Sequence, residues 1–434
     1  MSKWVAYFNK LNQFFLKKKN HFFFLNLPNV VNVFVTVVSL PILLRSLSSE
    51  AYGQWQYVLA FQSLAVVFTA SQITSASKRG IALNKAGTFY FALKKRSQLA
   101  LIPSVLFLVL AELFILKNDI VLSYLCLMSI GYLYINTIVV LSLSEYYIAK
   151  EQFARWSTWQ MITSTVSTVL GCVVAVYTKN ILFFVLSLFV YTTCVVLVEL
   201  VRVSRRDHLV AAFKAKEYDA SCYTYGIKSI PNDSINALSF KLVDIIIANT
   251  FGYKDLAIFS VAQKIRNVLV NVLKTLGPLL YVEFAKQKLE FGMERIKRSL
   301  VVSFLGGTGM AIVAVGSAYT YISFFLPAEY QSAILYVFIL ALSIPFVIPT
   351  TFLYTFLDAH LRYRAITFAT VIPNIIKIML ILFFGYLFGL VGFAIALSVH
   401  TVFSFLFYMI AVYKKDQVTQ WMERGFKLFR SFVH

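Results

Sequence analysis

Residues 41–57 read PILLRSLSSEAYGQWQY and join the end of one long apolar run to the start of the next. The first run closes with Arg45, a short polar turn follows at 46–51, and the apolar sequence restarts at Tyr52. Because about 20 apolar residues span a bilayer as a helix, two runs joined by so short a turn predict a tight membrane-spanning hairpin.

Aromatic residues begin the second apolar run, and a basic residue ends the first. Tyr52, Trp55 and Tyr57 are typical of residues that anchor a helix at the membrane interface. Arg45 is placed to stabilise the C-terminus of the first helix, or to contact a phosphate at the outer mouth of a cavity.

The composition extends this pattern to the whole chain. The 434 residues are 59% hydrophobic and only 14% charged, with a mean hydropathy of +0.75. A soluble domain carries roughly 25% charged residues. Short alternating strands with polar lumen positions are missing from the sequence, which disfavours an outer-membrane barrel. The predicted fold class is therefore an all-α polytopic membrane protein, whose helices satisfy their own backbone groups in lipid.

About twelve runs are long enough to span the membrane. They lie at 22–44, 52–76, 98–116, 120–141, 158–177, 181–201, 228–249, 256–282, 299–326, 333–356, 366–384 and 389–413.

The basic residues predict the orientation of these spans. Most lie in segments assigned to the inner side: 1–21, 77–97, 142–157, 202–228, 283–298, 357–365 and 414–434. The outer loops carry Arg45, Lys117, Lys179 and Lys254. Since cytoplasmic loops are enriched in Lys and Arg, both termini are predicted to be cytoplasmic. The net charge of +21 is then a property of the inner loops and does not indicate a nucleic-acid partner.

The longest polar interval divides the spans into two sets of six. PNVVN at 28–32 and PNDSIN at 231–236 open the two halves and suggest a duplicated unit. The predicted divisions are a basic amphipathic lead-in at 1–21, a six-helix bundle at 22–201, a basic linker at 202–227, a second bundle at 228–413 and a basic tail at 414–434.

Five cations lie inside predicted spans, where a charge costs roughly 2.5–3.5 kcal/mol to insert. They are Lys241, Lys264, Arg266, Lys274 and Lys377. Asp244 lies one helical turn after Lys241, so this pair is either a structural ion pair or a coupling site for a proton or cation. Few acidic residues balance these cations, and surplus positive charge suits an anionic passenger.

Amide side chains extend the polar faces of the same spans. Asn267 and Asn271 form a stripe with Lys264 and Lys274, Asn29 and Asn32 lie on span one, and Asn374 precedes Lys377 by one turn. Such amides either hold helices together or line one shared hydrophilic cavity.

Signals for catalysis are weak. The sequence shows no phosphate-binding glycine loop, no metal-ligand spacing and no nucleophile motif, so neither an enzyme nor a cofactor is expected. His400, within span twelve, is either a proton site or a packed histidine.

The opening stretch, extended to PILLRSLSSEAYGQWQYVLAF at 41–61, resembles the first hairpin of Wzx-type polysaccharide flippases. Their pattern, roughly P-x-L-x-R-x-L-x-x-x-x-Y-G, is matched by Pro41, Leu43, Arg45, Leu47, Tyr52 and Gly53. Other stretches resemble the family in the same order, at 71–82, 225–252, 257–265 and 325–333. Asp244 matches a recurrent Asp of span seven.

The resemblance implies a polysaccharide transporter of the multidrug/oligosaccharidyl-lipid/polysaccharide exporter superfamily, with a MATE-like V-shaped fold. It implies a flippase of the bacterial cytoplasmic (inner) membrane that moves an undecaprenyl-pyrophosphate-linked oligosaccharide by alternating access. Such a passenger is an O-antigen repeat unit of lipopolysaccharide biosynthesis or another surface glycan unit. Membrane lipids are further expected partners, and a polysaccharide polymerase and a chain-length regulator are candidates.

In that reading the embedded cations and amides bind the pyrophosphate and sugars, with Arg45 and Arg79 near the two ends of the cavity. The alternative is an ion-coupled multidrug antiporter of the MATE type, which moves cationic drugs and favours buried acids. A membrane glycan polymerase or ligase is a third class, but the outer loops are too short for its catalytic groups. A lipid II flippase is a cousin whose family usually has two more spans.

Overall fold

The computed structural model describes residues 2–274, 289–360 and 362–413. Within these ranges, side chains are described from residue 23 onward, except at 25, 232, 269, 271–274, 289–299, 302, 359, 363 and 364.

Every secondary-structure element of the described residues is a helix, and none of them is a strand. In its first half the helices are α1 (Ser2–Ser46), α2 (Ser49–Phe68), α3 (Gln72–Ala82), α4 (Thr88–Leu99), α5 (Leu101–Leu116), α6 (Ile120–Tyr132), α7 (Leu141–Ala149), α8 (Phe153–Thr178), α9 (Ile181–Arg206) and α10 (Leu209–Lys214). A π-helical segment, Leu133–Val140, joins α6 to α7. In its second half they are α11 (Ser221–Thr250), α12 (Tyr253–Lys274), α13 (Leu289–Phe325), α14 (Ala333–Ala341), α15 (Ile344–Ala359) and α16 (Tyr363–Tyr413).

Contacts divide these helices into two compact units. The N-terminal unit contains the described residues up to Ser48 together with Phe61–Pro231. The C-terminal unit contains Ser49–Ala60 together with the described residues from Asn232 onward. The first three turns of α2 therefore belong to the C-terminal unit, although they follow α1 directly in sequence.

Seven helical segments of the described chain are long and apolar enough to cross a membrane, and two bent pairs raise that number to nine. Two of the seven join helices named above: one runs through α4 and α5, and one through α6, the π-helical segment and α7. Helix α16 counts once although Gly389, at φ 58° and ψ −135°, divides it into two helices. Helices α11 and α12, which carry embedded charges, are not among the seven. Helices make up most of the described part of every predicted span, with breaks at 69–71, 100 and 342–343, and the count of about twelve stays a prediction.

The first bent pair shows how a break inside a span is stabilised. Helices α2 and α3 meet at 51°, and this break leaves the carbonyl of Thr69 without a helical partner. The fully buried Arg96 of α4 donates to that carbonyl at 3.2 Å and to the hydroxyls of Thr69 and Thr74 at 3.0 and 2.8 Å. The assignment of Arg96 to an inner loop was therefore wrong, because its guanidinium is needed inside the bundle.

The opening stretch also differs from its prediction. Tyr52 and Tyr57 are not interface anchors, because they are only 0% and 5% exposed. Tyr57 bonds the side chain of Asn249. A Cβ on Gly53 would lie 2.5 Å from the carbonyl carbon of Tyr253. The Tyr-Gly sequence thus lets the start of α2 pack directly against backbone of the C-terminal unit.

We expect Gly53→Ala to destabilise the protein by about 1–3 kcal/mol, because the backbone of Tyr253 must move to admit a methyl group. Thermal unfolding of the detergent-purified full chain measures this change. Gly309→Ala is the matched control, since no described atom lies within 4 Å of its Cβ position and alanine favours a helix by about 1 kcal/mol. Equal melting temperatures for the two variants would contradict the close approach at Gly53.

Candidate functional site

Helix α11 contributes an ion pair to the C-terminal unit. The Nζ of Lys241 lies 3.1 Å from Oδ2 of Asp244, one turn further along the same helix face. The other carboxylate oxygen of Asp244 accepts from Nε2 of Gln263 on α12 at 3.2 Å. Asp244 is buried, whereas the Lys241 side chain is 32% exposed. The predicted proximity of the two charges is confirmed, and both carboxylate oxygens are engaged.

Lys264 of α12 lies against aromatic side chains from the start of α2. Its Nζ is 2.5 Å from the Tyr52 hydroxyl, 4.9 Å from the centre of the Tyr52 ring and 5.4 Å from that of Trp55. Aromatic faces attract a cation that has lost its water. The Tyr-Gly stretch therefore holds one of the embedded cations.

Arg266 lies two residues later and contacts the bend between α14 and α15, the second bent pair. Its Nη2 donates at 3.2 Å to the hydroxyl of Ser343, which lies at the 45° break before α15. Its Nη1 donates at 3.2 Å to Oδ1 of Asn267. The buried Nε–H has no hydrogen-bond partner among the described residues. A buried donor left unpaired is costly, so this nitrogen is available to an anion.

Lys377 is the most buried of these cations, at 1% exposure. Its Nζ lies 3.6 Å from the centre of the Phe240 ring, and no described carboxylate lies within ion-pair distance. One turn earlier, Asn374 accepts from the hydroxyl of Ser239 at 3.0 Å and donates to Asn236 at 3.4 Å. The amide network links α16 to α11 directly beside the charge.

These cations interact electrostatically with one another. Lys377 interacts with Arg266, Lys241 and Asp244, and Lys264 interacts with Lys241 and Asp244. Asp244 is the one carboxylate among these described interactions, and Lys241 already neutralises it. We call Lys241, Asp244, Lys264, Arg266 and Lys377 the cationic cluster. Its surplus positive charge fits a multiply charged anion such as a pyrophosphate.

Other predicted site residues lie in the N-terminal unit. Arg45 and Arg79 are exposed in the last turns of α1 and α3. Asn29 is exposed, whereas Oδ1 of Asn32 accepts from the hydroxyl of Ser164 on α8 at 2.6 Å. The contact of Asn32 with Ser164 joins α1 to α8, which is the packing alternative for this amide. Substrate binding by Arg45, Arg79, Asn29 and Asn32 stays a prediction.

The remaining predicted residues are in the C-terminal unit. Asn267 is exposed on α12. The side chains of Asn271 and Lys274 lie outside the described residues. Nε2 of His400 is 3.2 Å from the hydroxyl of Ser404. Within the part of the chain that is described, no group of three or more His, Cys, Asp or Glu residues could hold a metal ion.

A sequence model described as polysaccharide biosynthesis protein matches residues 19–279, which is more than half of the chain. The chain belongs to the polysaccharide biosynthesis protein family. This match confirms the predicted relationship to Wzx-type flippases. A comparison with curated proteins finds no match.

Solved structures resemble this polysaccharide biosynthesis protein at low identity. "Lipid II flippase MurJ, inward closed conformation" has a TM-score of 0.61 at 12% identity, covering 88% of this chain and 87% of that chain. The eukaryotic MATE transporter AtDTX14 has a TM-score of 0.58 at 13% identity, covering 94% and 99%. An inward-facing MATE multidrug transporter of the MOP superfamily has 0.57 at 12%, covering 91% and 95%.

At such identities the likeness shows the fold alone. The predicted all-α, MATE-like fold class and the multi-pass membrane location are confirmed. Residues that the sequence did not suggest for the site are Tyr52, Gln263, Phe240 and Ser343. The Tyr-Gly motif was a usable signal for Tyr52, whereas the other three contact the cations only through packing between helices.

We expect Tyr52→Phe to lower transport by this polysaccharide biosynthesis protein several-fold, because Lys264 keeps the ring but loses the hydroxyl that positions its Nζ. Tyr57→Phe is the matched control. Tyr57 is on the same helix as Tyr52, but its hydroxyl is hydrogen-bonded to Asn249 and not to Lys264. Each change costs stability by about 1 kcal/mol. Equal transport rates for the two variants would contradict a role for the Tyr52 hydroxyl.

Proposed function

We propose that this protein is a flippase that translocates an undecaprenyl-pyrophosphate-linked oligosaccharide across the bacterial cytoplasmic membrane. The single observation that carries the proposal is the cationic cluster, with three cations, Lys264, Arg266 and Lys377, that no described acid neutralises. Buried charges usually mark substrate or ion pathways. Family membership and a fold shared with a lipid II flippase support a lipid-linked passenger.

The chemistry of translocation follows from the cost of moving phosphate charges through lipid. Arg266 offers a bidentate donor and Lys264 and Lys377 offer point charges, so the pyrophosphate exchanges water for fixed cations. The sugars occupy the polar surroundings, while the polyprenyl tail remains in the bilayer. Alternating access of the loaded cavity to the two sides completes the cycle, and no bond is made or broken.

The carboxylate Asp244 has a defined part in this scheme. It restrains Lys241 and fixes α11 against α12 through Gln263. A multidrug antiporter would instead need buried acids free to bind cationic drugs, and this carboxylate has both oxygens engaged.

The test is mass spectrometry of undecaprenyl-linked glycolipids in cells that lack the protein, with surface glycan measured in parallel. We expect lipid-linked repeat units to accumulate and surface glycan to disappear, with both restored by the wild-type chain. The accumulated mass identifies the passenger. Unchanged lipid pools and intact surface glycan would overturn the proposal, and altered drug susceptibility in the same strain would favour a multidrug antiporter.

A further inference from the structure

A groove on the N-terminal unit lies between helices α8 and α9, well separated in sequence from the cationic cluster. Its cavity of about 420 Å³ has apolar walls that include Ile162, Val195 and Val198. Arg155 and Arg202 line the same cavity from the beginning of α8 and the end of α9. The groove therefore combines an apolar channel with two cations at one end.

The two arginines share a buried acid. Oε2 of Glu199 accepts from Nη1 of Arg202 at 2.9 Å, and Oε1 lies 3.8 Å from Nε of Arg155. The Tyr147 hydroxyl also donates to this carboxylate. The Arg155 and Arg202 side chains remain 39% and 60% exposed, whereas Glu199 is 6% exposed. Because a guanidinium has five donors, Glu199 orients both arginines and leaves outward N–H groups for a second anion.

Arg206 lies at the same end of α9 but is paired with a different acid, Asp207. It lines an adjoining cavity of about 460 Å³ together with Arg155. Its guanidinium donates to both oxygens of Asp207. Burial alone raises the pKa of Asp207, but hydrogen bonds from Arg206 and Tyr146 outweigh it and hold that pKa below its usual value. Asp207 is therefore ionised at neutral pH and neutralises Arg206. Glu151 also lines the adjoining cavity, whereas the groove itself holds Arg155 and Arg202 against the single acid Glu199.

We propose that this groove binds one anionic phospholipid of the bilayer, with its phosphate between Arg155 and Arg202 and one acyl chain along Ile162, Val195 and Val198. Two arginines against one buried carboxylate give a net positive site, which complements a single phosphate. Thr158 is the one hydroxyl among the lining side chains. Away from the arginines and Glu199 the lining is mostly apolar, which suits the acyl chain of a phospholipid.

The groove also continues into lipid-facing surface, as an acyl chain requires. Beyond Ile162 the exposed side of α8 presents Val166, Val169 and Val173, which are 38%, 52% and 46% exposed. Because an α-helix rises 1.5 Å per residue, these side chains extend the apolar face of α8 from the arginine end well into the bilayer.

Native mass spectrometry of the detergent-purified full chain tests the proposal, with phosphatidylglycerol, phosphatidylethanolamine and undecaprenyl pyrophosphate as probes. We expect the wild type to bind phosphatidylglycerol in preference to the other two lipids. Each arginine removed should lower the affinity for phosphatidylglycerol roughly tenfold, and the Arg155→Gln/Arg202→Gln variant removes both. Arg205→Gln is the matched control, since Arg205 lies at the same helix end but lines neither cavity. Ile162→Trp fills the groove, keeps both arginines, and should weaken the same adducts.

A second readout uses the cysteine in the groove wall. Cys194 is exposed, whereas Cys126, Cys172 and Cys222 are buried, so a maleimide should label Cys194 first. Phosphatidylglycerol should slow this labelling in the wild type and in Arg205→Gln, but not in the double variant. Equal adducts with phosphatidylethanolamine, unchanged binding in the double variant, or a preference of this site for undecaprenyl pyrophosphate would each overturn the proposal. None of these results depends on export, so they leave the flippase proposal separately testable.

Discussion

Replacing Lys377 by methionine should reduce glycan export roughly 100-fold or more, because leaving a buried ion without its partner costs about 3–5 kcal/mol. In the proposed cycle that ion is the pyrophosphate. Lys377 is 1% exposed and has the Phe240 ring, not a carboxylate, as its nearest described partner. The charge is therefore held ready for an anion that arrives with the substrate.

The same substitution should leave the melting temperature unchanged or raise it. Methionine fills nearly the same volume without the desolvation cost of an ammonium group, and buried charges replaced by apolar residues are often neutral or stabilising. A purely structural lysine would instead lose stability. Surface glycan, the lipid-linked precursor pool and thermal unfolding together measure this separation of export from stability.

Two further variants sharpen the result. Lys377→Arg keeps the charge and should retain part of the export, whereas Lys254→Met removes an exposed cation at the start of α12 and should export normally. Arg266→Ala should lower export as much as Lys377→Met does. Arg266 also has a buried donor, its Nε–H, that lacks a described partner and is available to the same anion. Wild-type glycan from both Lys377→Met and Arg266→Ala would remove these residues from the substrate site.

The sequence predicted the parts of this molecule that depend on composition and short spacing. Apolar run lengths located the helices, because lipid permits few other structures. The three-residue spacing of Lys241 and Asp244 predicted their contact, because residues one turn apart share a helix face. The position of Lys377 near the middle of its span indicated that its ammonium group is the one least able to reach the membrane surface.

Features set by helix breaks and by packing between helices could not be read in the same way. Arg96 stood beside a basic loop, yet it stabilises the break between α2 and α3, and Arg266 contacts Ser343 at the other break. The break between α2 and α3 contains no proline or glycine that would mark it in the sequence, whereas Pro345, in the first turn of α15, was a usable signal for the second break. Tyr52 was predicted to be an interface anchor because hydropathy indicates how deep a residue lies in the membrane. It does not indicate which neighbouring helix that residue packs against.

Neutralising Asp244 alone should destabilise the protein, because Asp244→Asn leaves the Lys241 ammonium without its counter-charge. Breaking a fully buried pair costs about 3–5 kcal/mol, and the 32% exposure of Lys241 reduces this to roughly 1–3 kcal/mol. Thermal unfolding measures the loss. Lys241→Met/Asp244→Asn should recover most of it, and the double-mutant cycle should give a coupling energy of about 1–3 kcal/mol.

Export in the same cycle distinguishes a restraining carboxylate from an ion-coupling one. Lys241 and Asp244 together add no net charge, so the double variant keeps the surplus of Lys264, Arg266 and Lys377 and should export within several-fold of wild type. Lys241→Met alone should export least, because it leaves an unpaired anion beside the incoming pyrophosphate. If the double variant is stable but inactive, Asp244 acts as the coupling site for a proton or cation, and its two hydrogen bonds represent only one state of the cycle.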